Sequence, residues 1–155
     1  DCRFWNRVFT IENSGASQQI TMLNARYFAS YIKNTYGSGT HIIMSETGLS
    51  SVYQGHNYEG QQAASVAFAY YLAEFDPNID MLAIHRDYDN SGETSGGWWL
   101  GIYHSNGSAK PSADVFKYMD TKNWNSHVSH YMNAHIGSNW KSQINGFNAN
   151  FFNNK

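Results

Sequence analysis

Glu46 stands directly behind a short apolar run in Ile42-Ile43-Met44-Ser45-Glu46-Thr47-Gly48. At the carboxyl end of a buried barrel strand, a carboxylate lies on the floor of a cleft. There it can act as nucleophile or general acid in glycoside cleavage. The alternatives are a glutamate that caps its loop or pairs with an arginine. His85-Arg86-Asp87-Tyr88-Asp89 takes the same place behind Met81-Leu82-Ala83-Ile84. His85 can bond a sugar hydroxyl, steady a carboxylate, or be a satisfied half-buried histidine. Alternation sets Asp87 and Asp89 on one side of any continuing strand, to contact ligand or pair with Arg86. Behind Gly96-Gly97, one ring of Trp98-Trp99 can face a pyranose while the other points inward; core packing of both is the alternative. The candidate site is therefore catalytic Glu46 with Tyr53, Gln54, His85, Asp87, Asp89, Glu93, Trp98 and Trp99 as substrate-binding residues.

Other chemistries find less support. His127, His130 and His135 fall within one possible helix, but no cysteine or nearby carboxylate completes a metal set, so no metal and no cofactor is expected. There is no dinucleotide fingerprint, phosphate-binding glycine loop or serine nucleophile elbow. Cys2 is the only cysteine and has no internal disulfide partner. Asn106-Gly107-Ser108 fits a glycosylation acceptor, a short pattern that also arises by chance.

The elements that must position these residues follow from periodicity. Residues 1–16 read as a loop anchored by Phe4-Trp5. Ile20, Leu23, Tyr27 and Tyr31 recur at helical steps, which predicts a helix over 17–36 closed by Gly37. Residues 41–45 are short, apolar and rich in β-branched side chains, as a buried strand requires. A helix apolar on most sides is expected over 59–75, ended by Asp76-Pro77-Asn78, and a second strand over 81–85. Pro111 opens a third helix, and Val128 to Ile136, ended by Gly137, forms another. Alternating helices and strands signal a parallel sheet. Connections from helix to strand are short. Those from strand to helix are long and hold the polar and aromatic candidates, on the face where parallel α/β folds carry their sites.

The chain has 155 residues, one domain of ordinary size. Residues 122–155 form an Asn-rich C-terminal extension. Lys+Arg number 10 and Asp+Glu 12, a net charge of -2 that carries no electrostatic footprint for nucleic acid or anionic membrane. No apolar run reaches the length of a membrane span. Charged residues are only 14% and aromatics 16%, a composition suited to neutral polar ligands such as sugars. The Asp1 start suggests a mature form or a fragment of something longer.

Residues 42–51, Gln61-Gln62-Ala63-Ala64 leading into Ala69-Tyr70-Tyr71, Ile84 to Asp89, Lys110-Pro111 and Val115 to Thr121 together resemble the C-terminal end of an uncharacterised bacterial family. Thr21 to Asn24 and Trp140-Lys141 are also similar to it. That family is regarded as glycosidase-like, with a (β/α)8 barrel related to clan A glycoside hydrolases. The resemblance implies an α/β fold that is a partial (β/α)8 barrel, with its last parallel strands near 41–45 and 81–85. It places Glu46 at the nucleophile position of the seventh strand. It supplies no acid/base residue, because nothing here matches strands one to six. The expected function is the C-terminal segment of a secreted, retaining glycoside hydrolase, extracellular or at the cell surface, acting on a polysaccharide or glycoconjugate. Its partners would be the carbohydrate substrate and either a missing N-terminal barrel half or a self-association interface. A non-catalytic carbohydrate-binding or surface-interaction module is the alternative.

Overall fold

A computed structural model describes residues 25–155. The expected loop over 1–16, Cys2 and the start of the first helix lie outside the described residues. In chain order come α1 (Ala25–Tyr36), β1 (Ile42–Thr47), β2 (Val52–Tyr53), β3 (His56–Asn57), α2 (Glu59–Glu74) and β4 (Ile79–Ile84). A single turn, α3 (Ser91–Thr94), precedes α4 (Pro111–Tyr118) and α5 (Trp124–His135), and two 3-10 segments, Trp140–Gln143 and Ala149–Asn154, complete the chain. Punctuation acts where local chemistry demands. Gly37 takes φ 107 and its N–H reaches the Lys33 carbonyl, closing α1. Pro111 occupies the first turn of α4, where a missing N–H costs nothing.

β1 and β4 pair in parallel, Ile43 beside Met81 and Thr47 beside Ile84, and α2 connects them. Small residues on α2, Ala69 and Ala73, let the helix lie close on Met44, Ile79 and Leu82. The other sheet face stays bare: Ile43 is 61% and Met81 46% exposed. A partial (β/α)8 barrel is therefore not what the chain forms. The described residues hold one two-stranded parallel sheet, β1-β4, and one two-stranded antiparallel ribbon, β2-β3. A barrel strand buries side chains on both faces. Among the described residues no further strand pairs with β1 or β4, so no neighbouring barrel strand covers Ile43 and Met81.

The main core lies behind α2. Ala63, Ala67, Phe68 and Tyr71 meet Val115 of α4, Trp124, Val128 and Met132 of α5, and Trp140, Ile144 and Phe152 beyond. Tyr71 stacks on Trp140 at 5.6 Å and meets Trp124, Phe147 and Phe152 edge-on. Each such aromatic pair adds roughly 0.5–1.5 kcal/mol beyond area burial. The Tyr71 hydroxyl donates to the Met119 carbonyl, and burial pushes its ionisation above the ordinary tyrosine value. The Asn-rich tail thus supplies much of the core, covering the helix layer while the loops at the other end stay accessible.

Candidate functional site

β1 and β4 end side by side. The His85 N–H donates to the Thr47 carbonyl at 2.8 Å, which brings Glu46 and His85 to one end of the sheet. Gly48 lets the chain leave β1 against β4, since a Cβ there would stand 2.6 Å from the His85 carbonyl oxygen. Glu46 belongs to the last turn of the pleat and not to the loop behind it, with its side chain 70% exposed.

The Glu46 carboxylate lies 3.6 Å from His85 Nδ1, within ion-pairing range but too long for a hydrogen bond. The other ring nitrogen, Nε2, lies 3.2 Å from Glu93 Oε1. That same oxygen accepts from Arg86 Nη2 at 3.0 Å. Glu93 reaches this point because Asn90 caps α3 through its side chain and turns the chain back over β4. Four groups thus form one string, Glu46, His85, Glu93 and Arg86, most open to solvent at Glu46. Buried side-chain polar atoms without a protein partner gather here too. Of the four among the described residues, Thr47 Oγ1, Arg86 Nε and Glu93 Oε2 belong to this end of the sheet, and only Tyr70 lies elsewhere. Unspent hydrogen-bonding capacity is rare in a folded interior, so its concentration marks a place that has polar work to do.

Other candidate residues have different surroundings. Asp89 is buried, its carboxylate 2.7 Å from Lys110 Nζ and accepting from the Gly101 N–H, so its oxygens are engaged away from solvent. Its bonds make it a support for the loop over 86–109. Asp87 is exposed. Tyr53 is half-buried and Gln54 exposed at the tip of the β2-β3 ribbon, with φ 50 at Gln54. Trp98 and Trp99 are both half-buried. The Trp98 N–H donates to the Glu93 carbonyl, and the Trp99 carbonyl accepts from Ser51 and from Gln62. Tyr88, 53% exposed, stacks on Tyr103 at 5.3 Å. Arg86 pairs with Glu93 and not with its sequence neighbours Asp87 and Asp89. His104, absent from the candidates read from sequence, lies 3.3 Å from Glu59 and 4.0 Å from Asp89. Spacing along the chain carried no signal for either pairing. A cavity of about 310 Å³ lies at the opposite end of the sheet, between α1 and the start of β4, and includes Arg26, Phe75, Asn78 and Gln143 in its walls.

No group of histidine, cysteine, aspartate and glutamate among the described residues has the arrangement of a metal site. No helix among them is long and apolar enough to cross a membrane. Residues 1–143 match a family described as a family of unknown function (DUF5722), and the chain belongs to that family. No curated protein and no solved structure matches it.

Proposed function

We propose that this family member carries the nucleophile of a secreted, retaining glycoside hydrolase, with Glu46 as the reacting carboxylate. One observation carries the reading: an exposed carboxylate stands against His85, at the end of a parallel strand pair where unspent polar atoms collect. In the first step a Glu46 oxygen bonds to the anomeric carbon as the glycosidic C–O bond breaks, and an acid delivers a proton to the leaving oxygen. Water then cleaves the glycosyl ester and frees Glu46. His85 stands beside the carboxylate, with its Nδ1 3.6 Å away. Tyr53, Gln54, Asp87, Trp98 and Trp99 are the sugar contacts. The acid partner of a retaining pair lies about 5–5.5 Å from the nucleophile. Glu93 does not serve, because it lies against the other nitrogen of His85 and is bound to Arg86. That acid comes from further polypeptide beside this site, in the same protein or in a second copy.

The experiment follows from that division. Glycosyl fluorides and dinitrophenyl glycosides with a 2-fluoro substituent have leaving groups that need no acid. Incubated with the chain, a matching sugar should leave a glycosyl ester on Glu46, visible as a mass increase on the peptide that contains it. A panel of common sugars that labels nothing, or labels another carboxylate, rejects the assignment.

One observation favours a second reading. The exposed Tyr88 ring, backed by Tyr103, is the kind of platform on which a non-catalytic module stacks a sugar. Binding of oligosaccharides that is lost in Tyr88→Ala and indifferent to Glu46→Gln, with no labelling, would establish that module instead.

A further inference from the structure

We infer that Glu93 is a positioning residue that fixes the tautomer of His85, so that the ring exchanges its mobile proton only at Nδ1, on the side of Glu46. The inference deepens the reading of Glu46 as the reacting group, but its structural part stands without that reading.

A neutral imidazole has one N–H and two carboxylates here compete for it. Geometry favours Glu93: Nε2 to Glu93 is 3.2 Å with hydrogen-bonding alignment, against 3.6 Å from Nδ1 to Glu46. Exposure favours it too. Glu93 is 28% exposed and Glu46 70%, so water screens the attraction to Glu46 more strongly. The same Glu93 oxygen also accepts from Arg86 Nη2 at 3.0 Å, and a carboxylate oxygen engaged by a guanidinium serves the ring as an acceptor. Nε2 therefore keeps its proton toward Glu93. Nδ1 presents its lone pair to the space beside Glu46, and a proton that reaches the ring is taken and returned there. The second ring nitrogen of a working histidine is commonly held by such a carboxylate, which sets both orientation and proton position.

The test uses the whole chain labelled with nitrogen-15, and long-range nitrogen–proton spectra of its histidine rings under conditions where His85 is neutral. The His85 signals are assigned by their loss in His85→Gln. Wild type should show the Nε2–H tautomer. In Glu93→Ala the proton should move to Nδ1, where Glu46 becomes its acceptor, so the Nδ1–H form should rise from a minor fraction to the major one. Glu46→Ala should leave the wild-type tautomer in place. An Nδ1–H tautomer in wild type overturns the inference, and so does a Glu93→Ala spectrum unchanged from wild type. If Glu93→Ala does not fold, Glu93→Gln, whose amide oxygen faces the Arg86 donor, replaces it: retention of Nε2–H supports the assignment and an Nδ1–H ring overturns it. Where a labelled or hydrolysed glycoside exists, Glu93→Ala should lower kcat about 10- to 100-fold with KM nearly unchanged, as for loss of an orienting partner. Absence of any turnover counts against the hydrolase alone, because the spectra need no substrate.

Discussion

Lys110 Nζ lies 2.7 and 2.8 Å from the two carboxylate oxygens of Asp89, with the two side chains only 1% and 4% exposed. The same ammonium donates to Ser51 Oγ and to the Gly101 carbonyl, each at 2.9 Å. Gln62 lies beside it, donating to the carbonyls of Leu49, Trp99 and Gly101 and accepting from Ser112. Two long loops behind β1 and β4 are thus tied to each other and to α2 and α4 through one buried polar network. This network decides where the loop over 86–109 runs and therefore where Glu93 arrives.

Breaking that pair from one side should be severe. Lys110→Ala leaves the buried Asp89 carboxylate without its cation, and loss of one partner of such a pair costs about 3–5 kcal/mol. Urea unfolding should show a loss of that size. The double variant Lys110→Met with Asp89→Leu should recover much of it, because no charge is then left unpaired.

Two glycines should respond differently to alanine, since one is needed for backbone conformation and the other for space. Gly37 has φ 107 with open surroundings, so Gly37→Ala should cost only about 1–2 kcal/mol. A Cβ on Gly101 would run into the backbone of Asp89, Tyr88 and Tyr103. Gly101→Ala should therefore cost about 3 kcal/mol or more and disturb the Asp89–Lys110 pair, read as a lower urea midpoint.

Glu46→Gln should leave the fold intact, because the side chain is largely in solvent and makes no hydrogen bond that the core requires. With an activated aryl glycoside that the wild-type chain cleaves, the rate should fall by roughly a thousandfold, the scale expected for losing a reacting carboxylate. A change of only a few-fold would place Glu46 at the periphery of the chemistry.

His135 links pH to stability. A helix C-terminus ordinarily favours the charged ring. Here the ring packs against Gly60 of α2, and burial wins, holding it below the usual 6.5. The unfolded chain therefore binds the proton first. The contribution is constant above 6.5 and declines as pH falls through that value toward the lower folded one. Wild type should lose more stability than His135→Gln when urea unfolding is compared at neutral and mildly acidic pH.

Local signals made most elements legible. Helical spacing in 59–75 predicts α2 to within a residue, and short apolar runs locate β1 and β4, although β4 begins two residues before the expected 81, because such patterns arise among neighbours a few positions apart. The apolar run over 41–45 stops short of the strand: β1 extends to Thr47, since pairing with Ile84 continues it past the apolar residues. The β2-β3 ribbon and the turn α3 were missed. Each is too short to show a period, and each is held by neighbours distant in sequence, as in the Trp99 bonds to Ser50 and Ser51.

What the amino-acid order determined by itself is the long helices and the two longer strands, the boundaries at Gly37, Pro111 and Gly137, and the shared placement of Glu46 and His85 at the carboxyl ends of those strands. These depend on backbone preference and on the apolar pattern within each segment. Only the tertiary structure decided which charges meet. Asp89 went to Lys110 and Glu93 to His85 and Arg86, although sequence distance allowed other pairings. It also decided that the tail would bury Trp140 and Phe152 against Tyr71, and that, among the described residues, β1 and β4 would form a sheet of two strands. A carboxylate's partner is chosen by the free energy of the whole loop arrangement around it, in which burial, steric access for Gly101 and competing donors all weigh. That sum exists only once the chain has closed on itself.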